Sequence, residues 1–206
     1  MTIGAFIKNN FSAVLRFLNG LKRPSPQTNL NKLQKNNEIL ESFTIREVKL
    51  TEIAVLSELH VKAWNETYPG GGKKPTVALR ESQWHTVFNR DDNSWFCLFL
   101  VTGDDKPVGF LYGTKYDRPD IFPFDGQVSK IYILQRYIRL GLGRKLLLRA
   151  VREFQKRGMN SMILFGSSEN PSCAFHEAMG GERLFSKTGV FNGGYGWSNL
   201  NVMLNR

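Results

Sequence analysis

The chain has 206 residues, 41% of them hydrophobic, which suits one domain with a sizeable core plus an appendage. Two cysteines argue against a disulfide scaffold, and no Cys/His cluster has metal-ligand spacing, so no metal is expected. The formal charge of +10 raises the question of nucleic acid, but six of those charges (Lys8, Arg16, Lys22, Arg23, Lys32, Lys35) fall in acid-free residues 1–37, and no nucleic-acid partner is expected.

Ile3, Phe6, Ile7, Phe11, Val14, Leu15, Leu18 and Leu21 recur at helical spacing, with Phe17 widening the stripe, and predict an amphipathic helix within residues 1–22. Lys8, Asn9, Asn10 and Arg16 interrupt it too often for a bilayer span. Its basic character fits a membrane-surface helix or, in a eukaryotic source, a transit peptide. Docking on its own domain or on a second subunit is equally open, so residues 3–21 are the expected membrane or subunit contact, a homodimer included. Residues 23–42, with Pro24, Pro26 and many Asn and Gln, read as a linker to a main domain over 43–206, and the expected location is cytoplasmic, with peripheral membrane attachment through the helix as the variant.

In the main domain the pattern predicts a strand over 43–48, a helix over 51–67, a glycine-rich loop over 69–74 and a shorter helix over 77–88. Strands over 95–102 and 107–116 flank Gly103-Asp104-Asp105-Lys106, a strong hairpin turn. Cys97 lies in the first of these and reads as core. A strand over 127–134, a helix over 143–157, a strand over 161–165 and a helix over 170–179 follow, and two last strands, near 183–190 and 195–204, are expected to turn at Asn192-Gly193-Gly194.

The stretch Ile131 to Leu148, IYILQRYIRLGLGRKLLL, runs from an apolar strand through a Gly-x-Gly turn into a basic helix. Gly141 and Gly143 lack Cβ, so backbone N–H groups can crowd an anion at the positive end of the helix, and Arg136, Arg139, Arg144 and Lys145 add donors suited to phosphate oxygens. A dinucleotide fingerprint would need a third glycine where Leu146 stands, and no Walker Gly-Lys-Ser/Thr run occurs.

Ile138-Arg139-Leu140-Gly141-Leu142-Gly143 resembles motif A of the GCN5-related N-acetyltransferases, with Ile138 in place of the usual polar residue. Downstream, Asn170 followed by Phe175-His176-Glu177 and Gly180-Gly181 is similar to that family's second segment, with His176 where tyrosine is usual. The resemblance covers roughly 43–206. It implies an α/β (α+β) fold with a mixed central sheet of about six to seven strands, splayed at the cofactor site and flanked by helices.

The same resemblance implies acetyl-coenzyme A as acetyl donor and an amine as acceptor, joined by direct attack in a ternary complex. Ile131, Tyr132 and Ile133 would face the donor, the Ile133 N–H polarising the thioester carbonyl. Arg139, Leu140, Gly141, Leu142, Gly143 and Arg144 would hold the pyrophosphate, and Asn170 and Phe175 the pantetheine arm. Gln127 stands where the family often has a glutamate base, leaving Asp125, Glu66 and Asp117 as candidates, with His176 as candidate acid. Trp64 and Tyr68 are the candidate substrate residues, and the acids between Asp117 and Asp125 suggest a cationic amine. The competing readings are a coenzyme A sensor without catalysis, and a protein whose main function resides in its N-terminal helix.

Overall fold

The computed structural model describes residues 37–70, 74–119, 121–168, 170 and 172–204; the predicted N-terminal helix and most of the predicted linker lie outside them. Residues 37–41, in the stretch read as linker, are helical. The unit that follows, Leu40–Arg206, contains a seven-stranded sheet ordered β1-β2-β3-β4-β5-β7-β6. Its strands are β1 (Thr44–Glu47), β2 (Trp95–Val101), β3 (Pro107–Lys115), β4 (Gly126–Ile133), β5 (Met162–Phe165), β6 (Glu182–Phe185) and β7 (Phe191–Trp197). The helices are α1 (Ile53–Thr67), α2 (Val77–Phe88), α3 (Leu142–Lys156), α4 (Cys173–Ala178) and α5 (Asn201–Leu204). The α2 range matches the sequence expectation at both ends, where the Thr76 hydroxyl accepts from the Leu79 N–H and caps the helix.

Every strand pair is antiparallel except β4 with β5, whose parallel pairing is connected through α3. Leu142, Leu146, Leu147, Ala150, Val151 and Phe154 form one buried stripe of α3 against the sheet. The fit is close: the Phe154 ring meets Phe96 edge-on, and a Cβ at Gly126 would come within 2.6 Å of Phe154. The buried Glu153 carboxylate sits among Arg149, Lys156 and Arg157 at 2.9–3.0 Å, so its charge is compensated where it is desolvated. On the opposite face α1 and α2 pack an aromatic core around Trp84, Phe110 and Tyr112, with Cys97 buried in it as expected.

The end of the chain corrects the sequence expectation. Asn192-Gly193-Gly194 is not a turn but part of β7, because Gly193 at φ +84° lets its backbone approach the Gly166 carbonyl, where a Cβ would be 2.6 Å away. The turn lies at Ser186–Val190 instead, with Gly189 at φ +77° and bonds from Val190 N–H to the Ser186 hydroxyl and from Ser186 N–H to the Val190 carbonyl. The last strand also stops early: residues 201–204 are helical, with Asn199 accepting from the Asn201 N–H.

Candidate active site

The parallel pairing of β4 is short. Gly126, Gln127 and Val128 pair with Met162, Ile163 and Leu164, after which β4 runs on to Ile133 while β5 stays with β7. The divergence coincides with an extra residue, Ser129, in β4: Gly113 pairs with Val128 and Tyr112 with Lys130. Such a bulge shifts the alternation of the strand. Before it, the Gly126 N–H donates toward β5, to the Ser161 carbonyl; after it, the Leu134 N–H donates toward β3, to the Val108 carbonyl. By the two-residue repeat of an antiparallel ladder, Tyr132 and Lys130 then also bond β3, and the backbone groups of Ile131 and Ile133 face the gap that β5 has left.

Beyond Ile133 the chain makes one 3-10 turn, Gln135–Tyr137, and reaches the glycine turn. Arg139 at φ +64° and Gly141 at φ +79° curl the backbone inward before α3. At the start of α3 the N–H groups of Leu142, Gly143 and Arg144 precede the first helical bond, which runs from Lys145 N–H to the Gly141 carbonyl. Gly141 and Gly143 are hemmed in as well as free. A Cβ at Gly141 would meet Leu40 at 3.3 Å, and one at Gly143 would meet the Phe175 ring at 3.3 Å, which puts predicted Phe175 directly against the turn. Lys145 is used differently from expectation: its ammonium donates to the carbonyls of Leu40 and Phe43 at 2.5 Å and ties down the segment ahead of β1.

The last turn of α1 joins the two sides of the gap. Glu66 accepts from the Gln135 N–H at 2.7 Å, just past the end of β4. Tyr68 accepts from the Asn170 side-chain amide at 3.1 Å, and its ring lies 5.4 Å from that of Trp64. Asn170 spends its other end on the Ser172 N–H. Trp64, Glu66, Tyr68, Asn170 and the end of β4 are therefore brought together from sequence positions more than a hundred residues apart.

Two of the candidate catalytic residues do not belong to this group. Asp125 lies at the start of β4, about 20 Å along the strand from Ile131 at some 3.3 Å per residue. Its Oδ2 accepts from Asn160 N–H, Ser161 N–H and the Ser161 hydroxyl, so it is a loop anchor. His176 is 4% exposed in a box made by Phe175, Tyr195 and Trp197. Burial pushes its pKa down to about 4, so at neutral pH it is uncharged and is no imidazolium donor. Helical position on α4 could not reveal this, because the aromatic walls come from β7.

Burial also lowers His60, to about 3, with Arg80 and Lys130 adding repulsion. The unfolded chain takes up both protons below about pH 6.5, whereas the folded chain does not. Stability is thus fully present above 6.5 and declines as pH falls toward 4, each histidine contributing up to about 1.4 kcal/mol per pH unit. Urea midpoints should drop between pH 7 and pH 5, and His176→Phe should flatten that drop; an unchanged slope would refute the assignment.

A family model for the acetyltransferase (GNAT) family matches residues 56–181, a span that holds β4, the glycine turn and Asn170 to Gly181. The chain belongs to the GNAT family. It is 28% identical over 173 residues to YuaI of Bacillus subtilis strain 168, an uncharacterized N-acetyltransferase, a match covering 79% of this chain and 99% of the relative. In structure it is similar to the PaiA N-acetyltransferase of Thermoplasma acidophilum in complex with coenzyme A, with TM-score 0.61, 18% identity, and coverage of 75% of this chain and 98% of the other. It is also similar to YncA of Salmonella typhimurium with its cofactor acetyl-CoA, with TM-score 0.58, 19% identity, and coverage of 77% and 94%. The mixed seven-stranded sheet splayed after Val128 is thus a GNAT fold. Among the described residues no helix is long and apolar enough to cross a membrane.

Proposed function

We propose that the protein is an N-acetyltransferase that moves an acetyl group from acetyl-coenzyme A to a primary amine within a ternary complex. The observation that carries this reading is the departure of β4 from β5 after Val128, which turns the backbone of Ile131 and Ile133 into the gap, in line with the Arg139–Gly143 turn. The residues present fit such a donor. Two N–H-rich elements follow one another along the chain, the first suited to an extended amide-bearing arm and the second to a pyrophosphate at a helix start.

Acetyl-coenzyme A supplies the acetyl group as an activated thioester. The Ile133 N–H stabilises the negative charge that builds on the carbonyl oxygen as the acceptor nitrogen attacks. Ile131 aligns the arm along β4, whereas Tyr132, expected to share this role, turns its backbone to β3 and its ring to His60 and Phe110. The backbone from Arg139 to Arg144 binds the pyrophosphate, with Phe175 walling the turn at Gly143. Asn170, held by Tyr68 and Ser172, borders the arm, and Trp64 lines the acceptor side.

An alkylammonium with pKa near 10 is unprotonated only about one part in a thousand at pH 7, so a group at the gap must accept its proton. Glu66, whose carboxylate meets the Gln135 N–H just past β4, takes this role directly or through water. As the C–N bond forms and the C–S bond breaks, the departing sulfur takes up one proton. We assign that donation to the Tyr68 hydroxyl, which lies beside Asn170, in the role expected of His176.

Thiol release by the full chain, measured with acetyl-coenzyme A across a panel of primary amines, tests the reading. Amine-dependent release with matching acetylated product is expected. Calorimetric binding of acetyl-coenzyme A with no release from any amine would identify a sensor instead.

A further inference from the structure

The face of β4 turned toward α1 and α2 carries charge that the reaction above does not use. Lys130, the first residue after the bulge, extends its ammonium between the rings of Trp84 and Tyr112, 5.7 and 5.6 Å from their centroids. Arg80 reaches the same place from α2. Its Nη1 donates to Gln83 at 2.8 Å, but its Nε is buried without a partner. His60, on α1, lies against Trp84, Phe110 and Tyr132, and its Nδ1 is likewise buried and unpartnered.

Arg80 and Lys130 repel each other here, and among the described residues no carboxylate acts on either of them or on His60. Two partly desolvated cations with no counter-charge are unfavourable in the fold alone, and such a pair calls for an anion that arrives from outside. Burial lowers both cations, as an empty anion subsite should. The location bears on the chemistry. Lys130 is three residues before Ile133, about 10 Å along the strand, and this separation sets the length of a molecule that would touch both.

We infer that the acceptor is a small amine carrying an anionic group, a carboxylate or a phosphonate, which Arg80 and Lys130 bind while the amine nitrogen lies at Ile133. The inference rests on the acetyltransferase reading and narrows its acceptor. It reverses the expectation of a cationic amine, since Asp125, at the far end of β4, is occupied in anchoring a loop.

The test uses the full chain and matched acceptors: a long-chain ω-amino acid against the alkylamine of the same length, and a long-chain aminoalkylphosphonate against the plain alkylamine. In each pair the anionic member should show a kcat/KM at least about tenfold higher. Arg80→Gln and Lys130→Met should raise KM for the anionic member about 10- to 100-fold, leave the member without the anionic group nearly unchanged, and Arg80→Lys should recover part of the loss. Preference for amines without an anionic group or for polycationic amines, or an unchanged ratio in Arg80→Gln, overturns the proposal while leaving the acetyltransferase intact. Calorimetry of the same pairs separates the other failure: anionic members binding to wild type and not to Arg80→Gln, with no thiol release from any of them, retain the anion subsite and refute acetyl transfer. Absence of both binding and turnover for the anionic members overturns the subsite.

Discussion

Gly143→Asp should weaken coenzyme A binding about 100- to 1000-fold. The second position of a helix is one where aspartate is favoured by the partial positive charge, so the variant should keep its fold. The same charge is what the proposed pyrophosphate site uses, and an acid placed there competes with the ligand for the N–H groups of Leu142 to Arg144. Each charge-assisted bond is worth about 1.5–3 kcal/mol, and losing one or two with added repulsion gives the stated range. Gly143→Ala separates bulk from charge, since its Cβ meets only the Phe175 ring at 3.3 Å and should cost at most about tenfold. Calorimetry with coenzyme A decides: equal affinity of Gly143→Asp and wild type would place the pyrophosphate elsewhere.

Ile133→Pro should lower kcat about 100- to 1000-fold with coenzyme A affinity kept within a few-fold. Proline removes one N–H, and here that donor faces the gap, while the bonds to β3 run through Tyr132 and Leu134. The ladder therefore survives a substitution that would break a central strand elsewhere. The expected loss is that of one oxyanion donor, about 3–4 kcal/mol. A variant that melts like wild type, binds coenzyme A and turns over at the wild-type rate would show that the Ile133 N–H does not polarise the carbonyl.

Much of the fold was legible locally. The apolar runs and helical patterns located β2, β3, β4, α2 and α3 to within a residue or so, because the helices bury one face against the sheet and β2 and β3, covered on both faces, read as continuous apolar stretches. Asn192 to Gly194 misled for a physical reason: turn chemistry and a close strand-to-strand approach both call for glycine, and only the neighbour, Gly166, distinguishes them. The final helical turn was missed because four residues carry no periodicity.

The site divided in the same way. The Gly141-Leu142-Gly143 turn and Asn170 are local motifs, readable because a tight anion-binding turn needs missing Cβ atoms in consecutive sequence. Proton-transfer roles were not readable, since they depend on what surrounds a group. His176 loses its charge to a box completed by β7, and Asp125 commits its Oδ2 to Asn160 and Ser161. Glu66 reaches the end of β4 only because α1 folds across it. The nearness of the like charges Arg80 and Lys130 joins a helix and a strand fifty residues apart and had no sequence signal. The sequence by itself determined the family, the order of elements and the anion turn, all encoded in short-range spacing. Tertiary structure alone decided which titratable groups are buried, matched or left facing the gap, because solvation and charge balance are set by neighbours distant in the chain.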